Sequence, residues 1–341
     1  MYVVQGRNVQ TILVAGAIMI TEFAKKRESR FGDVLLMDGP VTTNYMSPNE
    51  RVVFWEERDA NPFFHFMEGL WMIAGREDVA WLSQFSSNIG QFSDDGVTFH
   101  GAYGFRWLNH FSKEVEGGYT NFDQLETVVE MLKSNPNERR CVVGMWDPEV
   151  DLGRQGKDIP CNTQIMFSIN FDGALDMTVC NRSNDMVWGA YGANAVHFSM
   201  LQEVMAARIG VSIGRYWQIS NNFHAYTKTF GQVEPLIQFI DQPSDTIDPY
   251  ASGEVDPFPM VNTEWDDWNS ELLMFMEEGP VMGYKDVFFR KVANPMYSAW
   301  FAYKDKDDPD RFEKAFNFAN SIAASDWRKA CVEWLQRRQQ K

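Results

Sequence analysis

The most regular hydrophobic pattern in the chain lies between residues 62 and 75. Asn61 and Pro62 are typical of the start of a helix, because an Asn side chain caps free backbone N–H groups and Pro fits the first turn. Apolar residues then recur every three or four positions up to Gly75, with Glu68 on or beside the apolar face. This pattern predicts a buried helix that carries a carboxylate.

Other periodic segments predict a mixture of helices and strands. Further helices are predicted after Asn121 and over residues 195–209, 311–323 and 325–338. Strands are predicted over residues 141–146, 164–171, 174–181 and 216–223, and Asp172-Gly173 predicts a two-residue hairpin turn. Because strands and helices do not alternate regularly, we expect an α+β fold.

Residues 231–296 differ from the rest of the chain in composition. They are rich in Pro, Asp and Glu, which predicts a long excursion over the surface. We therefore expect the core of the domain over residues 1–230. Residues 231–341 are expected to form an acidic surface excursion followed by C-terminal helices that pack on the same domain.

The overall composition narrows the class of protein. The chain has 341 residues, of which 45% are hydrophobic and 14% aromatic, so it can bury a large core and is not a disordered chain. Its 31 basic and 47 acidic side chains give a net charge of −16. This charge argues against a polymeric nucleic-acid partner, which would require clustered Lys and Arg, but a few local arginines would still bind a small anion.

The cysteines and an N-terminal apolar stretch indicate the cellular compartment in which the protein is expected to work. The four cysteines form no C-x-x-C pair and indicate no disulfide framework, which is typical of a reducing, cytoplasmic setting. Residues 12–20 are apolar but too few for a membrane span, and they lack the basic flank and cleavage site of a signal peptide. We expect no membrane association and no metal site.

Candidate chemistry centres on Cys161 in the sequence Pro160-Cys161-Asn162. A single Cys is most often a buried small hydrophobe. Here, however, Arg139-Arg140 and Arg182 lie beside neighbouring predicted strands. Nearby cations lower the pKa of a thiol and favour the nucleophilic thiolate, and arginines grip phosphate monoesters through paired hydrogen bonds. These residues therefore fit a nucleophile beside a phosphate.

Taken in order, the motifs resemble the thymidylate synthase superfamily, which includes the pyrimidine-nucleotide hydroxymethylases of bacteriophages and antibiotic pathways. The matching segments, which span about residues 30–230, are MEGLWMIAG (67–75), GAYGFRW (101–107), RRCVVGMWDP (139–148), PCN (160–162), NFDGALDMTVCNRSND (170–185), ANAVHFSMLQEVMAARIGVSIG (193–214) and NNFHAY (221–226). The resemblance implies a central twisted mixed sheet flanked by helices. It also implies a homodimer in which Arg139 and Arg140 cross to the partner's site.

The resemblance further implies how a pyrimidine deoxynucleoside monophosphate is bound and attacked. Cys161 would add to C6 of the ring, so that C5 can attack the methylene of 5,10-methylenetetrahydrofolate, the expected cosubstrate. His224 and Tyr226 would bind the sugar 3′-hydroxyl. The phosphate would be held by Arg182, Ser183, Arg139 and Arg140 donated across the dimer, and Arg30, for which Arg27 is the alternative.

The remaining implied roles concern the base and the folate. Asn194 would read O4 and N3 of the base, although an Asn before a helix is also typical of a simple N-cap. Glu68 would order water and relay protons at C4 and C5, and Tyr103 would order water near the thiol. Asp185 and Gly189 would contact the pterin of the folate.

Four features depart from thymidylate synthases. Asn162 follows the Cys where synthases have His, Arg182-Ser183-Asn184-Asp185 has the form found in phage hydroxymethylases, and the chain continues to Gln339-Gln340-Lys341 without a short apolar tail. Gly90 stands where synthases carry a tryptophan over the folate and the new methylene. Without that indole, water would reach the methylene, and its addition would give a hydroxymethyl group in place of a methyl group.

The base favoured by the resemblance is uracil. Asn194 lies 30 residues before His224, which is the family spacing, and residues 190–193 contain one extra residue. Asn accompanies uracil in this family, whereas an Asp would accept from the cytosine amino group. The expected reaction is therefore dUMP to 5-hydroxymethyl-dUMP. Thymidylate synthesis, dCMP hydroxymethylation and an inactive nucleotide-binding or interaction relative are the alternatives.

Overall fold

The computed structural model describes residues 1–29, 31–115, 118–120 and 122–340. Helices and mixed sheets make up these residues, which confirms the predicted α+β class. The strands are β1 (Tyr2–Gly6), β2 (Lys25–Ser29), β3 (Gly32–Leu36), β4 (Val41–Tyr45), β5 (Lys113–Val115), β6 (Gly118–Thr120), β7 (Val142–Gly144), β8 (Asn162–Ile169), β9 (Ala174–Asn181), β10 (Asn184–Asp185), β11 (Ser212–Ser220) and β12 (Phe223–Tyr226).

Helices cover both the N-terminal and the C-terminal parts of the chain. They are α1 (Val9–Phe23), α2 (Pro62–Ile73), α3 (Val79–Phe85), α4 (Tyr103–Leu108), α5 (Gln124–Ser134), α6 (Pro148–Asp151), α7 (Asn194–Ile209), α8 (Thr227–Val233), α9 (Ser244–Ile247), α10 (Trp265–Glu278), α11 (Asn294–Lys304), α12 (Arg311–Asn320) and α13 (Ser325–Gln339). Short 3₁₀ helices span Glu56–Arg58, Ile89–Phe92 and Glu234–Phe239, and π-helices span Met186–Ala193 and Phe289–Ala293.

The described strands form a six-stranded mixed sheet in the order β1-β4-β11-β9-β8-β7 and a four-stranded sheet in the order β10-β12-β3-β2. The chain passes from the first sheet to the second between β9 and β10 and again between β11 and β12. At the second crossing, Asn221 N–H donates to Asn181 O (2.9 Å) and Asn222 N–H donates to Arg182 O (3.3 Å). The single strand predicted over residues 216–223 is therefore wrong, because the chain leaves one sheet after Ser220 and enters the other at Phe223.

The predicted hairpin joins β8 to β9, which pair antiparallel. Its loop is longer than the two residues predicted, since Asn170 N–H donates to Ala174 O (2.9 Å) and leaves residues 171–173 outside the ladder. Gly173 has a φ of +76°, the left-handed conformation that ends a three-residue loop of this kind. Asp172-Gly173 thus predicted the position of the turn correctly, but the predicted loop length of two residues is wrong.

Helices α2 and α7 form much of the buried core beside the sheets. Asn61 caps α2 as predicted, because its Oδ1 accepts from the N–H groups of Phe63 and Phe64 (3.1 and 3.2 Å). α7 ends at Gly210, whose φ of +87° stops the helix in a left-handed C-cap. The apolar faces of both helices are buried, and this fixes which way Glu68 and Asn194 point.

The prediction for residues 231–296 is wrong in part. This segment contains α10 and the π-helix Phe289–Ala293, and Trp268, Leu272 and Phe275 are fully buried in the same core cluster as residues from the N-terminal part. Acidic residues are interspersed among the apolar ones and hide their spacing of three to four residues, and some of the acidic residues are themselves buried: Asp248, Glu271 and Asp286. The boundary at residue 230 stays a prediction.

The apolar residues 12–20 lie within α1, where Ile12, Leu13 and Ala17 are fully buried. Among the described residues, no helix combines the length and the apolar character needed to cross a bilayer.

The strand predicted over residues 141–146 is shorter in the structure, where β7 covers only Val142–Gly144. The N–H groups of Met145 and Trp146 both donate to Thr163 O (2.9 and 3.0 Å), and this shared acceptor ends the regular pairing.

Candidate active site

Most of the predicted site residues that the structure describes line two neighbouring cavities; Arg139, Arg140, Asp185 and Gly189 line neither of them. The larger, about 600 Å³, is lined by Cys161, Arg182, Ser183, His224 and Tyr226, together with other polar residues. The smaller, about 220 Å³, is lined by Glu68, Tyr103 and Asn194, among mostly apolar neighbours. Tyr103 links the two, because its ring lines the smaller cavity and its hydroxyl binds the backbone of Cys161.

Cys161 lies just before β8, where the register against β9 shifts between Asn162 and Gln164. A bulge of this kind redirects the side chains next to it. The N–H groups of Cys161 and Asn162 both donate to the Tyr103 hydroxyl oxygen, at 3.0 and 3.2 Å. Burial raises the pKa of the Cys161 thiol, while the charge of Arg182 opposes the rise. The thiol is therefore protonated at neutral pH and needs a further change to become a nucleophile.

Arg182 is fixed against the loop that precedes Cys161. Its Nε donates to Pro160 O (2.7 Å) and its Nη2 to Ile159 O (2.9 Å), and the same Nη2 lies 3.8 Å from Cys161 Sγ. The guanidinium also faces the Trp146 ring at 5.7 Å. These contacts hold one cation beside the thiol at the wall of the larger cavity.

Two further cations of the larger cavity, Arg154 and Lys157, were not predicted as ligands. Arg154 Nη2 lies 3.4 Å from Asp94 Oδ2, and Lys157 Nζ donates to Ser93 O (3.1 Å). The signal in the sequence was a pair of basic residues in the polar loop just before Pro160. Asn222, which also lines this cavity, was likewise missed.

The predicted phosphate arginines fall in different places. Arg139 and Arg140 are exposed and belong to neither of these two cavities, and both Nε and Nη2 of Arg140 donate to Glu138 at 2.8 Å. Their predicted role in a partner's site stays a prediction. Arg30 lies outside the described residues, whereas its alternative, Arg27, lines the larger cavity from β2.

His224 and Tyr226 alternate along β12 and therefore share one face of the strand. Their rings are 5.4 Å apart at an angle of 89°, and His224 Nδ1 lies 2.9 Å from Asn222 Oδ1. Burial lowers the pKa of His224, so its imidazole is neutral at pH 7. The pair thus presents hydrogen-bonding groups to the larger cavity without adding a charge.

Asn194 belongs to a continuous chain of side-chain amides. Gln218 Nε2 donates to Ala190 O (3.0 Å), Asn184 Nδ2 to Gln218 Oε1 (2.9 Å), and Asn194 Nδ2 to Asn184 Oδ1 (3.1 Å). At its end, Asn162 Nδ2 donates to Asn194 Oδ1 (3.5 Å). Ala190 O can only accept a hydrogen bond, so Gln218 must direct its NH₂ group toward it and its Oε1 toward Asn184. The same reasoning then fixes the orientation of the Asn184 amide and of the Asn194 amide.

The structure excludes the simple N-cap role for Asn194, since the residue is itself helical and its side chain makes no capping bond. The extra residue predicted in residues 190–193 stays a prediction; the π-helix Met186–Ala193 that contains these residues is kinked at Tyr191 and Gly192, whose backbone angles are not helical. Asp185 starts this π-helix, and its Oδ2 accepts from Trp188 N–H (2.6 Å). At Gly189 a Cβ would lie 2.6 Å from Asn184 Oδ1, so a side chain there would disturb the amide chain.

Glu68 points from α2 into the smaller cavity. Burial raises the pKa of this carboxyl to about 8, and the charge of Asp158 adds to the rise. Its Oε2 lies 3.2 Å from Nε2 of His197 on α7, whose pKa is lowered by burial to about 3. Both groups are therefore uncharged at neutral pH. His197 was not predicted; the signal was its place three residues after Asn194, on the same side of α7.

Gly90 lies in the 3₁₀ helix Ile89–Phe92, between two residues that line the smaller cavity. A Cβ at Gly90 would lie 3.4 Å from Val79 Cγ1, so this position faces α3. The wall of the cavity at this point is formed by Ile89 and Phe92 rather than by residue 90 itself. Within the described part of the chain, His, Cys, Asp and Glu form no group of three that could hold a metal ion.

Comparison with known proteins adds a family and several relatives. The family model for thymidylate synthase matches residues 57–255. The chain is 49% identical to the deoxyuridylate hydroxymethyltransferase of Pseudomonas phage M6, over 99% of this chain and 95% of that protein. It is 40% identical to the protein of the same name from Bacillus phage SP01, over 59% and 54% of the two chains. It is 30% identical to the thymidylate synthase of Streptococcus gordonii, over 50% and 61%.

Proposed function

The chain belongs to the thymidylate synthase family, and on this premise we propose that it converts dUMP into 5-hydroxymethyl-dUMP. Family membership confirms the prediction made from the motifs, and the protein is a one-carbon transferase. Similarity over nearly the whole length to a deoxyuridylate hydroxymethyltransferase supports the hydroxymethyl product. The observation that carries the proposal is a thiol, Cys161, in the wall of a cation-lined cavity next to a second cavity that holds Glu68.

In the proposed reaction the larger cavity binds the nucleotide. Arg182 binds the phosphate beside the thiol, and Arg27 and Ser183 supply further donors at the cavity wall. His224 and Tyr226 bind the sugar hydroxyl from β12. Cys161 Sγ then adds to C6 of the ring, which places negative charge on C5 and O4. The neutral ground state of the thiol agrees with activation by the bound substrate.

The direction of the amide chain supports uracil as the base. With one Nδ2 hydrogen of Asn194 committed to Asn184 Oδ1, the other can donate to O4 while Oδ1 accepts from N3–H. Cytosine would require the amide to turn over, because its N4 donates and its N3 accepts. The turned amide would bring Asn194 Oδ1 against Asn184 Oδ1, two acceptors without a proton between them.

The family uses 5,10-methylenetetrahydrofolate, which supplies the one-carbon unit. The residues proposed to hold it are Asp185 and Gly189, beside the half-exposed indole of Trp188. This indole stacks on the buried Arg58 guanidinium at 4.3 Å, which makes it a firm aromatic surface. The absence of a side chain at Gly189 lets Asn184 pack directly against the backbone there, so the glycine supports the folate site indirectly, by leaving the amide chain that ends at Asn194 undisturbed.

Water addition is proposed to occur in the smaller cavity, where Glu68 and His197 supply polar groups among apolar walls. Residue 90 contributes no indole to shield this space. The overall reaction consumes dUMP, methylenetetrahydrofolate and water and yields 5-hydroxymethyl-dUMP and tetrahydrofolate. A homodimer that shares Arg139 and Arg140 between sites, and a cytoplasmic location, remain part of the proposal.

The test is an assay with 5-³H-dUMP and 5-³H-dCMP in the presence of methylenetetrahydrofolate. We expect tritium release from dUMP in preference to dCMP, a product with the mass of 5-hydroxymethyl-dUMP, and no absorbance from dihydrofolate. Formation of dTMP with an equal amount of dihydrofolate would identify a thymidylate synthase instead. Release from neither nucleotide would support the inactive relative.

A further inference from the structure

His197 is a buried histidine for which the family resemblance supplied no role. Its side chain is 4% exposed, and it lines the smaller cavity together with Glu68 and Asn194. Among the described residues, its Nε2 makes no hydrogen bond of good geometry, although Glu68 Oε2 lies 3.2 Å away. A buried ring nitrogen without a partner, facing a cavity, is unusual for a histidine that merely fills the core.

The protonation state of the ring follows from its other contact. The imidazole hydrogen-bonds to the backbone of His65 on α2, an interaction that raises its pKa and therefore uses a ring N–H on a carbonyl oxygen. Because Nε2 is without a partner, this N–H belongs to Nδ1. Nε2 then carries a lone pair, which points to the acid side chain of Glu68.

Close packing of α2 against α7 holds the two side chains in place. Gly69 follows Glu68 directly, and a Cβ at this position would collide with Met200 Sδ and lie 3.6 Å from His197 Cδ2. The glycine therefore lets the helices approach at the level of the acid and the imidazole. The distance between Glu68 and His197 is thus set by backbone packing and not by two flexible side chains alone.

We propose that His197 is a positioning residue for water addition: its bare Nε2 binds the proton on Glu68 Oε2 and so keeps Oε1 turned toward the water in the smaller cavity. This inference rests on the proposed function. It concerns the step that distinguishes a hydroxymethylase from a synthase. It assigns to His197 an action through Glu68 and no direct contact with the substrate.

In the step itself, the water oxygen forms a bond to the exocyclic methylene carbon on C5 of the nucleotide. The π electrons of that methylene move into the ring and onto O4. One water proton passes to Glu68 in its ionised form, which is the minor form at neutral pH because the pKa is about 8. The ring electrons then return, re-form the C5–C6 double bond and expel the Cys161 thiolate from C6. No oxidant or reductant is needed.

His197 makes Glu68 a better base for this proton. When Glu68 is ionised, its oxygen and Nε2 present two lone pairs to each other; when it is protonated, an O–H···N bond replaces this repulsion. The other groups near the pair are Asp158, Tyr103 and Asn194, with His65 behind the ring. The charge of Asp158 raises the pKa of Glu68 in the same direction.

Two substitutions separate this role from packing. His197→Asn keeps a donor near the Nδ1 position but removes the Nε2 lone pair, whereas His197→Gln can place an amide oxygen near Nε2. In a single turnover, tritium release from 5-³H-dUMP precedes water addition. We expect His197→Asn to release tritium within about threefold of the unmutated rate but to form product on the order of 10²-fold more slowly, the usual size of an acid–base effect. His197→Gln should recover most of this loss.

His110→Asn is the matched control, since His110 pairs with Asp147 at 2.8 Å outside both cavities.

A second measurement of the effect on Glu68 needs no folate. The infrared carbonyl stretch of protonated Glu68 can be assigned by difference against the Glu68→Gln variant. With rising pH, this signal should disappear at a lower pH in His197→Asn than in the unmutated protein. If the titration does not move, or if tritium release and product formation fall together, the positioning role is wrong. A product other than 5-hydroxymethyl-dUMP from the unmutated protein would instead overturn the proposed function, and the infrared titration would still decide the role of His197.

Discussion

The two cavities beside Tyr103 differ in how they hold charge. The larger one carries Arg27, Arg154, Lys157 and Arg182, which suit the permanent charge of a phosphate. The smaller one pairs a carboxyl whose pKa is raised to about 8 with an imidazole whose pKa is lowered to about 3, so both groups are neutral until a proton moves. In the proposed reaction, substrate binding and proton transfer are therefore separated in space, with Cys161 and Tyr103 between the two cavities.

If the proposed function is right, this separation accounts for two products within one family. The proposed nucleotide-binding side would need the same cations and the same nucleophile whether a methyl or a hydroxymethyl group is formed. In the proposed reaction, the chemistry that follows depends on what lines the smaller cavity, where this chain has Glu68 and His197 with Ile89 and Phe92 at the wall. Changes in the larger cavity should abolish the reaction, and changes in the smaller one should redirect or slow a late step.

The largest loss of activity is expected for a substitution of Cys161, which lies between the two cavities. Cys161→Ala should lower tritium release from 5-³H-dUMP by roughly 10⁴-fold or more, because it removes the proposed nucleophile that adds to C6. Nucleotide binding, measured by calorimetry, should change little, since the cations are untouched. Cys180→Ala, on β9, is the matched control and should stay active. If Cys180 proved essential and Cys161 dispensable, the assignment of the nucleophile would be wrong.

A smaller but selective effect is expected for Asn194→Asp. A carboxylate offers no donor to O4 of uracil but accepts from N4 of cytosine, so kcat/KM for dUMP should fall by about 10²-fold and the ratio of dCMP to dUMP turnover should rise. Asn135→Asp on the exposed end of α5 serves as the control. An unchanged preference would contradict the role of the amide chain, and an unmutated protein that already prefers dCMP would contradict the assignment of uracil.

The proposed donation of Arg140 to the larger cavity of a partner subunit predicts complementation between two inactive variants. Arg140→Ala and Cys161→Ala should each be nearly inactive alone. Mixed dimers should contain one intact site, so a random mixture should recover about a quarter of the unmutated activity, since half of the dimers are mixed and half of their sites are intact. Confirmed mixed dimers without any recovery would show that Arg140 does not serve a partner's site.

The smallest effect is on stability and reports on the smaller cavity. Because the pKa of Glu68 is raised in the folded state, its stabilising contribution is complete below the ordinary carboxyl pKa and is lost as the pH rises through about 8. Relative to Glu68→Gln, the unmutated protein should therefore lose a few kcal/mol, about 2–4, between pH 5 and pH 9. Thermal unfolding across this range measures the difference. The exposed Glu130→Gln should show no such trend, and a parallel loss in Glu68→Gln would contradict the raised pKa.

The motifs that carry the family resemblance identified residues in both cavities, namely Cys161, Arg182, His224 and Tyr226 in the larger one and Glu68, Tyr103 and Asn194 in the smaller one. Arg154, Lys157 and Asn222 in the larger cavity and His197 in the smaller one were missed. The pairing of Glu68 with His197 depends on how α2 packs against α7, which no local spacing reveals. Likewise, the direction of the amide chain depends on Gln218 in β11, far from Asn194 in sequence.

The fold shows the same limit. The hairpin and α2 were predicted because a turn signal or a cap accompanies each of them. The buried helix α10 was missed because acidic residues surround Trp268 and Leu272 and outweigh the apolar spacing. The crossing between β11 and β12 was missed because residues 216–223 read as one strand until the two sheets are known.

The central claim, that water completes the reaction in the smaller cavity, is tested most directly by the origin of the product oxygen. With dUMP and methylenetetrahydrofolate in ¹⁸O-labelled water, the product should be 5-hydroxymethyl-dUMP with the label in its hydroxymethyl group, accompanied by tetrahydrofolate. Unlabelled dTMP accompanied by dihydrofolate would contradict the claim, because the methylene would then have received hydride and not water.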